Sequence, residues 1–172
     1  MNIRTENEND FKEVFQLNYE AFGKREDESK LIERIRESED FLPELTLVAE
    51  EKGEIVGHIV FSKANIINGE DKTEVLALGP VAVSPVYQKK GIGSKLIEEG
   101  LKRSKEMGFG LVFLIGHPTY YPRLGFRQAG EFGFTLKQFQ VPENVFMVYE
   151  LREGDLERVA GELRYSDAFL GS

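Results

Sequence analysis

Gln88-Lys89-Lys90-Gly91-Ile92-Gly93 lies between an apolar run, Val75 to Val83, and a segment of helical periodicity, Ser94 to Met107. A strand that turns through a glycine-rich, lysine-bearing loop into a helix makes an anion site. The first amides of a helix have no intrahelical acceptor. Glycines let those amides approach a ligand closely, and the positive end of the helix dipole adds attraction. The loop therefore predicts a bound phosphate. It is not a P-loop, because no Gly-Lys-Ser/Thr closes it, and it lacks the third glycine of a dinucleotide fold.

Outward from the loop, the helix carries its apolar stripe at Ile92, Leu96, Ile97 and Leu101 and ends at Gly108. Leu111 to Ile115 is continuously apolar, as in a strand covered on both faces. Upstream, helices are predicted over Phe11 to Phe22, capped by Asp10, and over Glu26 to Ser38. The first places Phe11, Val14, Phe15, Asn18 and Phe22 near one face, and the second buries Leu31, Ile32 and Ile35. Strands follow over Leu45 to Glu50, Ile55 to Asn65 and Glu74 to Val83, joined by turns at Glu51-Lys52-Gly53-Glu54 and Asn68-Gly69-Glu70-Asp71. Gly79-Pro80 inside the third of these marks a bulge or splay, because proline breaks a central ladder. Pro118 to Leu124 reads as about two helical turns stopped by Gly125. Phe126 begins a further strand, and Val145 to Leu151 is the last clear one. Glu153 to Ser172 is amphipathic but irregular.

The 172 residues suit one domain, 1–172, with a sizeable core. The chain has no cysteine, which excludes disulfides, thiolate metal sites and a cysteine nucleophile. No Asp/Glu/His cluster has metal-ligand spacing, so no metal is expected. No apolar run reaches the roughly 20 residues that span a bilayer. Met1 to Asp10 is too polar for a signal peptide, so a cytoplasmic protein without membrane partners is expected. The net charge is −8. Residues 1–54 hold 16 Asp plus Glu against 8 Lys plus Arg, while the remainder balances 14 against 14. That acidic first third argues against nucleic acid and suits either a cationic small molecule or a merely solvated face.

The element order, with Gln-x-x-Gly-x-Gly at 88–93 and Tyr121-Pro122-Arg123-Leu124-Gly125-Phe126 about 30 residues downstream, resembles the GNAT superfamily of N-acetyltransferases. The motifs cover residues 75–130, and the element order covers 1–151. The resemblance implies an α/β fold of the α+β type. Its central sheet would be mixed, mostly antiparallel, of about six to seven strands, with helices on both faces and a splay between the fourth and fifth strands. It implies acetyl-coenzyme A as co-substrate and an amine acceptor, small molecule rather than protein.

The resemblance also assigns roles. Backbone amides from Lys89 through Ser94 would wrap the pyrophosphate within the loop of Gln88, Lys89, Lys90, Gly91, Ile92 and Gly93, with Ile92 turned to the core. Val81, Ala82 and Val83 would pair with the pantetheine arm, and the N–H near Val81 would face the thioester oxygen. Tyr121 matches the position that protonates the departing sulfur, with Tyr120 as its neighbouring rival. The fourth-strand glutamate of some members is replaced here by Ala77. The base is then His117, His58 or water. Arg123 is a surface arginine or a contact for an anion. A longer acyl donor and a non-catalytic coenzyme A sensor are the alternatives. Monomer and homodimer are both compatible with the sequence.

Overall fold

A computed structural model describes residues 1–171. The chain opens with β1 (Asn2–Thr5). A single 3₁₀ turn then leads into α1 (Phe11–Ala21), and α2 spans Asp27–Glu37. Asp10 holds the N-cap position of α1, but its side chain makes no capping hydrogen bond there. Asn7 caps the preceding turn, and the Asp10 carboxylate accepts from Asn7 N–H and from Arg4 at 2.7 and 2.8 Å. The buried face of α1 holds Val14, Leu17 and Asn18, so Leu17 replaces the expected Phe11 and Phe15.

The next three strands form a long meander: β2 (Phe41–Glu51), β3 (Glu54–Asn68) and β4 (Asp71–Val83). Lys52 and Gly53 turn the first hairpin with φ of 53° and 80°, the paired positive angles that match strand twist. The loop then feeds α3 (Ile92–Glu106), followed by β5 (Leu111–Ile115). Instead of two helical turns, Tyr121–Leu124 makes one short 3₁₀ turn closed by Gly125. The strand expected from Phe126 is the two-residue β6 (Arg127–Gln128). β7 (Phe134–Leu136) and β8 (Phe146–Glu150) complete the middle of the chain. The tail is ordered as α4 (Asp155–Arg158), β9 (Gly161–Arg164) and a final 3₁₀ turn.

All nine strands of the described residues join one mixed sheet, two more than the upper expectation, because β7 and β9 had no readable signal. The main path runs β1-β2-β3-β4-β5-β8-β6, antiparallel except for β4–β5. β3 outruns β2, whose pairing stops at Ser62. β9 covers the exposed remainder, Asn65 to Ile67, which blunts a free edge.

Side-chain alternation places the layers. Leu47, Ala49, Phe61, Leu76 and Leu78 face α3, whose Leu96 and Ile97 are wholly buried. Each of the Leu, Ile and Phe side chains contributes about 1.5–3 kcal/mol of burial. Val48 and Ala82 face α1, and Val60 faces α2. α3 lies close to β3 because Gly100 carries no side chain. A Cβ there would stand 2.1 Å from the Phe61 ring. Among the described residues no helix is long and apolar enough to cross a membrane.

Candidate active site

The site begins where the sheet comes apart. β4 and β5 pair only through Leu76–Val112 and Ala77–Phe113. Beyond that, β5 stays with β8 through Ile115, while β4 continues along β3 to Val83. Gly79 and Pro80 both stand opposite Val60, a bulge in the β3–β4 ladder, and their peptide bond is cis. The β5-facing edge of β4 is therefore open from Leu78 onward. Ala77, the position lacking a glutamate, is fully buried below the opening.

The loop ends at the mouth of this splay. Gly91 sits just before α3 with φ 82° and nothing within 4 Å of where a Cβ would be. A side chain is disfavoured there by backbone angle, not by crowding. Ile92 turns inward and is 6% exposed. The first i to i−4 bond runs from Lys95 N–H to Gly91 O at 3.1 Å, so the amides of Ile92, Gly93 and Ser94 precede the helical ladder. Lys89 and Lys90 are exposed. Gln88 folds back to donate to Val83 O at 3.2 Å, which ties the loop to β4. This bare stretch of amides beside an unpaired strand edge fits a diphosphate joined to an amide-bearing arm.

The two tyrosines part company. Tyr120 is bound to α3 through its hydroxyl, 2.6 Å from Ser94 Oγ. The Tyr121 ring packs edge-on to Tyr120 and to Phe126 and lines a cavity of about 500 Å³ with Leu78, Gly79, Pro80 and Val81. Burial, and then the neighbouring Tyr120, push the Tyr121 phenol up to about 12. Gly116 makes room for it. A Cβ at that position would lie 2.4 Å from Tyr121 Cε2. Nothing in the sequence pattern marks Gly116, because the close approach arises only when the 3₁₀ turn folds back on the end of β5.

Neither histidine joins the cavity. His117 is exposed, with Nδ1 3.0 Å from Thr119 Oγ1. His58 is fully buried on the α1–α2 side, bound to Glu6 at 2.8 Å. Arg123 is exposed, its guanidinium 5.6 Å from the Tyr120 ring centre. The remaining cavity wall comes from Phe22, Glu28 and Leu31 near α2, from Phe139 and Val141, and from Tyr165 and Phe169 of the tail.

An open β4 edge beside a bare helix start is the arrangement of an acyl-transferring fold, and the chain belongs to the GNAT acetyltransferase family. The family model described as "Acetyltransferase (GNAT) domain" matches residues 2–129. The chain is 37% identical over 135 residues to the uncharacterized N-acetyltransferase YjhQ of Escherichia coli strain K12, covering 78% of this chain and 74% of that one. The crystal structure of the Escherichia coli GNAT family N-acetyltransferase YhbS in complex with CoA superposes with a TM-score of 0.90 at 27% identity, over 99% of this chain and 92% of that one. A GNAT family acetyltransferase from Brucella melitensis, in complex with acetyl-CoA, gives a TM-score of 0.78 at 30% identity over 98% and 97%.

Proposed function

We propose that this chain is a cytoplasmic, single-domain enzyme that uses acetyl-coenzyme A to acetylate a primary amine of a small molecule. The observation that carries this reading is the junction of the open β4 edge with the uncapped start of α3. The amides of Lys89 through Ser94 hold the diphosphate, with Lys89 and Lys90 as mobile counter-charges. Val81, Ala82 and Val83 offer the strand edge to the pantetheine arm. Gln88 acts indirectly, by fixing the loop on β4. Bound acetyl-coenzyme A supplies an activated carbonyl, at which a C–N bond forms as the C–S bond breaks, the protons lost by the acceptor ammonium going to sulfur and to water. Val81 N–H donates where negative charge develops on the carbonyl oxygen. Tyr121 donates a hydrogen bond toward the departing sulfur. With both histidines outside the cavity, proton removal from the acceptor is left to water.

Binding of acetyl-coenzyme A tests the reading directly. At a hundredfold excess over its dissociation constant it should stabilise the fold by about 2.7 kcal/mol. For a chain of this size that corresponds to a rise in Tm of roughly 5–10 °C. Gly91→Glu places bulk and negative charge on a left-handed backbone at the diphosphate. It should remove most of that rise and weaken cofactor affinity by at least about tenfold. An unchanged response in Gly91→Glu would take the loop out of the binding site. Cofactor binding without thiol release for any amine would assign the chain to sensing rather than catalysis.

A further inference from the structure

On the acyl-transfer reading above, we infer that the cavity at the splay is an acyl pocket, and that the chain accepts, and favours over acetyl, an uncharged alkyl acyl group of medium length such as hexanoyl.

In that reading the pantetheine arm lies along Val81 to Val83, and the thioester oxygen faces Val81 N–H. Whatever extends past the carbonyl then passes Pro80, Gly79 and Leu78, which open onto the cavity together with Tyr121. From there the cavity continues to Leu31 of α2 and to Phe139, Val141 and the tail. Its volume of about 500 Å³ is that of a small-molecule site and far more than a methyl group fills. Phe139, Val141, Tyr165 and Phe169 lie past residue 129, where the match to the family model ends. The outer wall therefore stands outside the segment that the family model describes.

The wall offers nothing to a charge. Among the described residues that line it, only Glu28 is charged. Its Oε2 already accepts from Arg25 Nη2 at 3.1 Å, and its Oε1 is buried. The other lining side chains are aliphatic or aromatic, with two phenols. A carboxylate or an ammonium placed here would lose its water without gaining a partner. An alkyl chain has no such loss and gains by leaving water. Ile115, the last residue of β5, lines the same cavity and is 38% exposed, apolar surface that such a chain would cover. The outer wall is also fixed in place. Gln138 Oε1 accepts from Tyr165 N–H at 2.7 Å, and the Tyr165 ring centre lies 5.4 and 4.9 Å from those of Phe139 and Phe169. The bond changes are those of acetyl transfer. The C–N bond forms as the C–S bond breaks, and of the two protons lost by the acceptor ammonium one goes to sulfur and one to water.

Calorimetric titration with acetyl-, hexanoyl- and succinyl-coenzyme A tests this without an acceptor. Each methylene taken out of water is worth about fourfold in affinity, so hexanoyl-coenzyme A should bind at least about tenfold tighter than acetyl-coenzyme A. Succinyl-coenzyme A, whose chain ends in a carboxylate, should bind no tighter than acetyl-coenzyme A. Leu31→Trp and Val141→Phe each fill the cavity from one wall. Either should abolish the hexanoyl advantage and leave the affinity for acetyl-coenzyme A within about twofold, which also reports an intact fold. Hydroxylamine is a nucleophile small enough to need no acceptor pocket. With it, thiol release from hexanoyl-coenzyme A should exceed that from acetyl-coenzyme A in kcat/KM by at least about the same factor. Equal affinities for hexanoyl and acetyl overturn the inference. So does a succinyl affinity that matches hexanoyl, an advantage that survives both substitutions, or tighter binding without faster release. If none of the three thioesters binds, the acyl-transfer reading itself falls first.

Discussion

Tyr121→Phe should lower kcat by about 100-fold, near 2.7 kcal/mol of transition-state stabilisation, and leave the affinity for acetyl-coenzyme A within about twofold. The environment of the phenol defines what is lost. Burial and the adjacent Tyr120 hold it up to about 12. A coenzyme thiolate, near 8.5, sits about 3.5 units lower, so complete transfer from the phenol would be uphill by roughly 5 kcal/mol. In the proposed reaction Tyr121 would therefore stay protonated throughout the working range and act by hydrogen bonding to the sulfur as charge builds there. Its ionisation should contribute no limb to the rate profile between pH 6 and 10. Gly116→Ala should reproduce much of the loss, because the added carbon displaces the Tyr121 ring. Tyr120→Phe should instead weaken cofactor binding a few-fold, since its hydroxyl is spent on Ser94 at the start of α3. Initial rates of thiol release against cofactor concentration separate the cases. A kcat loss that follows Tyr120 and spares Tyr121 would reverse the assignment.

The local signals near this site were legible. The glycine loop, the apolar stripe of α3 and the all-apolar β5 each follow from a pattern within about 15 residues. Gly79-Pro80 announced the bulge, because a proline between strand residues leaves few other arrangements. What escaped depends on distant pairing. β9 is a strand because β3 extends past β2 and offers Asn65 to Ile67 as an edge. No feature of Gly161 to Arg164 alone requires that. β7 then pairs with β9 and inherits the same obscurity. The cavity wall shows the same limit. Glu26 to Ser38 reads as a helix with Leu31 on its buried face, but no local pattern there or in residues 128–144 marks Glu28, Leu31 and Phe139 as walls of one cavity. Tyr165 and Phe169 reach the cavity because the tail docks on α2, where Arg34 Nε donates to Ala168 O at 2.9 Å. The role of His58 was likewise hidden, since its partner Glu6 lies 52 residues away.

Glu6→Ala should destabilise the fold by about 3–5 kcal/mol, the typical cost of removing one partner from a buried ion pair. The Glu6 side chain is 1% exposed, His58 0% and Arg36 12%. Arg36 donates twice, Nη2 at 2.8 Å and Nε at 3.2 Å, and its guanidinium also lies 3.8 Å from the Phe11 ring centre. Since the Glu6 carboxylate can only accept, His58 Nε2 carries the shared proton, 2.8 Å from Oε2. Without Glu6, both donors stay beneath α1 and α2 with no acceptor. The same triad makes the fold acid-sensitive. Burial alone would raise the Glu6 carboxyl, but the hydrogen bonds from His58 and Arg36 together hold it below its ordinary 4.5. Asp10, held chiefly by its bond from Arg4, lies below its ordinary 3.8. A folded value below the unfolded one means that the stabilisation is complete above the unfolded value and disappears as pH falls through the folded one. Urea midpoints should therefore be flat from pH 7 to about 5 on account of these two groups and should drop below about 4.5. Glu6→Gln cannot titrate, so its midpoint should start lower at pH 7 and fall less steeply on acidification. Equal slopes for the two proteins between pH 5 and 3 would mean that the carboxylate under α1 and α2 contributes nothing to acid unfolding.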